Sequence, residues 1–442
     1  MRASLYSIGL SLTDGRLETD PGGLFFEFAK RSYTLIHTIF LSLLLWQAPS
    51  FIEQSIATAH DEIAKEPNQP DGYNDLALAL VRKVRETGDL SFAGQAETAI
   101  EKSLKIVPAN FGARRARVAV RLAQHRYADA LEEAEALRKE RPDDNPIYGY
   151  ISEADVALGN YGGAEKAVQT MIDLRSVNGP GFESGAIVRE LIGFPEPALD
   201  WWTSSLHLIS DRDTEERAYI TSQMARIYRE TGKYDAGAEC AQQALQLVPS
   251  YPPALFELAR IRLEQKQPAA AIALLRSRLS RGNDLPSLYW LAVAEEQSGH
   301  TAEAATASAE FEKQARKATS SAMNADALLI RYLADHGKAP EALEIAKAAL
   351  PRHRDLFTRQ SYALALAKAG QYSEALTEIH KALEPGLLDV SLYFDAGMIA
   401  KGQKDSESAG VYFKKAFELG SSGLYSGEIL KQLGSLVPAP SN

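Results

Sequence analysis

The side chains able to do covalent, acid–base or metal chemistry are present in this chain, but never at the spacing that such chemistry needs. Cys240 is the only cysteine, so no disulfide closes within one chain and no thiolate cluster forms around a metal. Its place in a helix, near small residues, marks it as a packing residue. None of the eight histidines stands i, i+4 from another, the spacing that turns two imidazoles toward one metal ion. His353, in the run PRHRD, reads as part of a solvated turn, and His300 and His336 flank helix-ending glycines. Glu132-Glu133 and Glu295-Glu296 read as solvated helix faces. Of the pair Trp201-Trp202, Trp202 is expected in a helical core and Trp201 over a neighbouring element. The phosphate-cradling G-x-x-x-x-G-K-[ST], the zinc-binding H-E-x-x-H and the nucleophile elbow G-x-S-x-G do not occur. The sequence therefore offers no catalytic residue, no metal ligand and no cofactor site.

What the chain does contain is a phrase of about 34 residues that returns from Pro70 to Gly420. Its clearest copy is Ala218 to Ser250, AYITSQMARIYRETGKYDAGAECAQQALQLVPS. Met224, Ala225 and Tyr228 recur at helical spacing in a first helix. Gly232 ends that helix, since glycine accepts the left-handed C-cap geometry. Tyr234 packs across the turn. Gly237, Ala241, Ala244 and Leu245 line a second helix, which Pro249 stops because proline lacks an N–H. Ala225 and Gly237 sit where the two helices must approach closely. The same skeleton appears in about ten copies, the last carrying Tyr393, Ala396, Gly397, Ala409, Phe413 and Ala416. Stacked units of this kind bury their apolar faces against neighbours only, so a long chain needs no enlarged central core.

This pattern resembles the tetratricopeptide repeat, whose first helix carries a large residue, Leu-Gly and Tyr, and whose second carries Ala, Phe, Ala and Pro. The resemblance implies an all-α, right-handed solenoid of about ten helix-turn-helix units. The expected organisation is a leader over 1–52, a linker or helix over 53–69, the solenoid over 70–420, a capping helix over 421–436 and a disordered tail over 437–442. The sequence reading is of hairpins nested side by side into one elongated, curved ribbon with no central hub, each burying its apolar face against its neighbours only.

In this family the first helices line the concave face, so the resemblance assigns inner positions. One series runs Glu153, Ile187, Arg226, Arg260, Val293, Arg331; a second runs Glu183, Ser222, Phe256, Tyr289. The middle of the groove thus combines Arg226, Arg260 and Arg331, extended by Arg229, with Phe256 and Tyr289. Guanidinium forks pair with carboxylates and aromatic faces hold apolar side chains, which suits an acidic or C-terminal peptide segment. The lysines and asparagines by which some family members hold a C-terminal carboxylate do not recur here in consecutive repeats.

Lys30 and Arg31 precede an uncharged stretch at about 32–52, with an apolar centre from Leu35 to Trp46. It reads as an export signal, with a cleavage site after Ser50, or as an uncleaved anchor; Asp14, Glu18, Asp20 and Glu27 make an unusual acidic leader before it. The expectation is an exported or membrane-anchored protein, with a cytoplasmic protein as the alternative. Membrane contact is expected only through that stretch. The net charge is −10, from 48 basic and 58 acidic residues, which disfavours nonspecific binding to nucleic acid. The function expected is a noncatalytic protein–protein interaction scaffold. The alternatives are a structural subunit of an envelope or secretion assembly that packs through its convex face, and a regulatory arm of an enzyme complex.

Overall fold

The computed structural model describes residues 12–13, 16–17, 50–282, 284–319 and 326–436. Residues 30–49 of the expected export segment with its basic pair, and the tail 437–442, lie outside the described residues, while Phe51 and Ile52, at the end of that stretch, begin a helix. The chain divides into two compact units, 1–50 and 51–442. In the first, Leu12–Thr13 pairs antiparallel with Arg16–Leu17. In the second, every regular element among the described residues is a helix. None is long and apolar enough to cross a membrane.

A leading helix, α1 (Phe51–Lys65), is followed by ten helical hairpins. The first three are α2 (Asp71–Thr87) with α3 (Ser91–Ile106), α4 (Phe111–Ala123) with α5 (Tyr127–Glu140), and α6 (Asn145–Leu158) with α7 (Tyr161–Leu174). Next come α8 (Gly179–Leu191) with α9 (Pro195–Leu208), α10 (Thr214–Glu230) with α11 (Tyr234–Leu247), and α12 (Pro252–Glu264) with α13 (Pro268–Leu279). Then follow α14 (Leu285–Gln297) with α15 (Thr301–Thr319), and α16 (Asp326–Asp335) with α17 (Ala339–Ala349). The last hairpins are α18 (Leu356–Lys368) with α19 (Tyr372–Leu383), and α20 (Val390–Gly402) with α21 (Ser406–Leu419); α22 (Ser426–Leu436) closes the unit.

The fifth hairpin shows why the phrase folds as it does. Asp213 caps α10 by accepting the Glu216 N–H at 3.3 Å, which satisfies a donor the helix cannot. Gly232 turns the chain with φ 73°. A Cβ on Gly237 would lie 3.0 Å from Ile261 and 3.1 Å from the Ala225 carbonyl oxygen, so glycine permits the close crossing of α10 and α11. Ala225, Ala241 and Ala244 are fully buried there. Filling such a contact with a larger side chain costs roughly 1–3 kcal/mol. Trp202 is fully buried in the fourth hairpin, and Trp201 lies against Phe182 and over Gly185, where a Cβ would collide with the indole.

The hairpins form the expected all-α solenoid, but they do not pack on their neighbours alone. The hairpins wind tightly enough that the first helix of one hairpin meets the chain six hairpins on. The corner of the third, Gly159, lies against the Arg354 carbonyl at the start of the ninth. There the Leu356 N–H donates to the Tyr161 hydroxyl at 2.9 Å. The corner of the fourth, Gly193, lies against Gly386 before the tenth, and that of the fifth, Gly232, against the Leu419 carbonyl before α22. Glu264, at the end of α12, accepts the Leu424 N–H at 2.8 Å. Apolar packing crosses the same seam: Leu191 of α8 joins a core cluster otherwise built from Leu288 to Ile399. Per-repeat rotations add up along a solenoid, and here they add up to a closed turn.

Candidate functional site

The arginines singled out in the sequence lie on first helices of their hairpins. Arg226 Nη2 donates to Glu190 Oε2 at 2.6 Å. Burial works against its charge, but Glu190, Glu230 and Glu257 outweigh burial and raise its pKa. Arg229, 7% exposed, donates to Glu257 at 2.9 Å and to Glu230 at 3.1 Å. Arg331 Nη1 donates to Asp395 Oδ2 at 2.7 Å, an oxygen that also accepts from Gln360 at 2.8 Å. Each guanidinium is thus held by a carboxylate of its own chain.

Arg260 differs. Its guanidinium lies over the Trp290 ring at 3.6 Å, with Phe256 at 6.0 Å. Its Nε is buried without a hydrogen-bond partner. Burial, and then the neighbouring Arg229 cation, lower its pKa to about 10. Tyr289 stands edge-on to Trp290, with ring centroids 5.3 Å apart, and to Phe311 at 5.5 Å. Burial raises the Tyr289 hydroxyl, and Arg331 and Arg260 both lie close enough to oppose that rise. The structure therefore gathers Arg229, Phe256, Arg260, Tyr289 and Arg331 into one region, and links Arg226 to it through Glu230 and Glu257. Trp290, which supports Arg260, and Tyr425 of the closing segment, which lies near both Arg331 and Arg260, were missing from the sequence reading. The adjacent Tyr289-Trp290 pair was the available signal for the first.

A second polar junction was also missed. Arg85 makes a fork with Glu215, Nε to Oε1 at 2.7 Å and Nη2 to Oε2 at 2.8 Å, and reaches Glu216 at 2.6 Å. Arg82 adds Asp213 at 2.7 Å, and Tyr251 donates its hydroxyl to Glu215 at 2.7 Å. This ties α2 of the first hairpin to the start of the fifth. Beside it, desolvation raises the carboxyls of Glu153 and Glu183 to about 7; the nearby Glu216 charge adds to the rise of Glu183.

Three expectations about polar side chains need correction. His353 is not solvated but 9% exposed, and its Nδ1 is buried without a partner. Glu295, 1% exposed, accepts from Arg276 at 2.7 Å and pairs with His300 at 2.8 Å. Glu133 is likewise buried, against Arg117 and Arg121. Glu132 and Glu296 are exposed as expected. In each doublet the buried member faces at least one arginine of an adjacent element, which neighbour spacing alone does not reveal. Cys240 packs beside the core of the fifth and sixth hairpins, and burial pushes its thiol up to about 11, far from a reactive thiolate. Among the described residues no group of three or more His, Cys, Asp or Glu side chains is placed to hold a metal ion.

Family models described as tetratricopeptide repeat match residues 222–286 and 390–419. Among solved structures, the chain is similar to PilW, described as a widely conserved type IV pilus biogenesis factor, at 15% identity, covering 46% of this chain and 94% of that one with a TM-score of 0.40. It is similar to TTC0263, a thermophilic TPR protein of Thermus thermophilus, at 22% identity, over 43% of this chain and 99% of that one, with a TM-score of 0.37. It is also similar to yeast Tom70, at 12% identity, over 87% and 92% of the respective chains, with a TM-score of 0.40. No curated protein matches the chain.

Proposed function

We propose, from the tetratricopeptide-repeat matches and from the contacts of the arginines on the first helices, that this protein is a noncatalytic interaction scaffold. It takes an acidic peptide segment at Arg260. Phe256, Tyr289 and Trp290 hold the apolar side chains of that segment. Arg226, Arg229 and Arg331 keep their own carboxylates and set the shape of the site. The observation that carries this reading is Arg260 itself: a desolvated guanidinium, stacked on an indole, with a buried Nε that has no acceptor. Leaving such a donor unmet is costly, and a ligand carboxylate supplies the missing acceptor.

Selection from a random-sequence peptide display library, followed by fluorescence anisotropy of the selected peptides, tests the reading. We expect peptides rich in Asp and Glu that bind Arg260→Gln at least about tenfold more weakly, the loss of one charge-assisted bond. Neutral peptides, or acidic ones indifferent to Arg260→Gln, refute it. The proposal includes export or anchoring through the apolar stretch at about 32–52. A mature chain that starts near Phe51, or a full-length chain found in the membrane fraction, supports that part, and an uncleaved soluble chain opposes it.

A further inference from the structure

Contacts between turns narrow the way to the inner face. Glu153, on α6, keeps exposed surface, yet protein crowds it enough that desolvation moves its carboxyl to about 7. Its carboxyl is thus open to a small solute while the chain crowds it. The side chains around it come from distant hairpins: Tyr127 from the second, Tyr219 from the fifth and Arg85 from the first. The gap at the seam between turns, by Glu190, Pro195, Ile227, Glu230, Leu387 and Leu388, is too tight to hold a water molecule. Small-molecule sites begin near roughly 300 Å³, and an extended peptide needs more.

The contacts that close the coil are unequal. The seam at the third to fifth hairpins is backbone against backbone, with Gly159, Gly193 and Gly232 as the near surfaces. At the first hairpin the corner Gly88 likewise lies against Gly282 and the Arg278 guanidinium, but along α2 the closure is ionic: Arg85 and Arg82 grip Asp213, Glu215 and Glu216. Glu215 is 2% exposed, while Arg82 and Arg85 keep 29% and 28% of their side-chain surface. Burial opposes the Glu215 charge, but Arg85 outweighs it and holds that carboxyl below its usual value. A pair with one buried and one wet partner is strong when closed and can be re-solvated when parted.

We infer that this junction is a latch: the confined inner space opens to a macromolecular segment when Arg82 and Arg85 release Asp213, Glu215 and Glu216 and the first hairpin swings from the fifth. What passes through it rests on the inner-face reading above, but the latch is tested with no partner present. In the full chain carrying Cys240→Ser, Glu153→Cys reports the inner space and Val411→Cys, at a site 62% exposed, is the outer control. Each is labelled with N-ethylmaleimide and with a polyethylene-glycol maleimide of several kilodaltons. We expect the small reagent to reach both sites and the large one to label position 411 readily but position 153 slowly. Arg85→Glu raises the large-reagent rate at 153 by about tenfold or more. If Arg85→Glu loses helical circular dichroism, Arg82→Gln and wild type in molar salt replace it, each raising the rate by a smaller factor. Equal labelling at both sites in wild type overturns the inference. So does a folded latch variant that leaves the rate at 153 unchanged. Peptides that fail to depend on Arg260 would sink the binding site while leaving the latch intact.

Discussion

The corner glycines of the third to fifth hairpins and those of the seventh to ninth look alike in sequence and live in different surroundings. Gly159, Gly193 and Gly232 have φ of 80°, 88° and 73°; Gly299, Gly337 and Gly370 have 76°, 75° and 79°. Both sets thus meet the same backbone demand at the end of a first helix. A Cβ on the first set would meet the next turn of the coil, at 2.5 Å from Arg354 O, 2.5 Å from Gly386 O and 2.1 Å from Leu419 O. A Cβ on the second set would meet nothing within 4 Å. One set of glycines therefore serves the hairpin alone, while the other also lets two turns touch. A repeat motif fixes the unit; the environment of each copy is decided by how many copies precede and follow it.

The largest expected effect follows from that contrast. Gly232→Ala carries the left-handed penalty of about 1–2 kcal/mol and an overpacking term of about 1–3 kcal/mol, together roughly 2–5 kcal/mol. Gly370→Ala carries only the first. Urea unfolding of both variants checks this, and equal losses would break the comparison. Next comes Arg85→Met, which strips the fork from a buried carboxylate. Removing one partner of a buried pair costs about 3–5 kcal/mol, and we expect about 2–3 kcal/mol because Arg82 and Tyr251 still reach Glu215. The same unfolding measurement reads it.

A smaller effect separates the closed inner face by pH. Desolvation, reinforced by Glu216, raises Glu183 to about 7, above its unfolded value near 4.5. The folded state then holds the proton longer than the unfolded one. Its contribution is fully present below the unfolded value and is lost as pH rises through about 7. Glu183→Gln removes that loss and keeps an oxygen to accept the Ser205 hydroxyl. We expect the variant to exceed wild type above pH 7 by on the order of 1 kcal/mol, and to match it below the unfolded value. A difference that is constant with pH would show that the inner face is not desolvated.

The hairpins, their small crossing residues and their core positions were legible because each is a local rule. Gly237 against Ala225, and Trp202 in the core, follow from spacing alone. That the arginines expected on the inner face are paired was not legible. Glu190 lies 36 residues before Arg226, and Glu257 lies 28 after Arg229, close to one repeat period, so reading across copies would have found both partners. The partner of Arg331 is 64 residues away, and those of Arg85 are about 130 away. Those distances depend on the pitch of the coil, a sum of small rotations that no single copy records.

Amide hydrogen exchange at Leu356 and Leu424 tests closure most directly. Each N–H begins a segment of the later turn, and its acceptor belongs to the earlier turn: the Tyr161 hydroxyl for Leu356 and the Glu264 carboxylate for Leu424. We predict that both amides are protected in wild type and that Tyr161→Phe frees Leu356 while Leu424 stays slow. Free-peptide exchange at both amides in the intact, folded chain would contradict the closed coil.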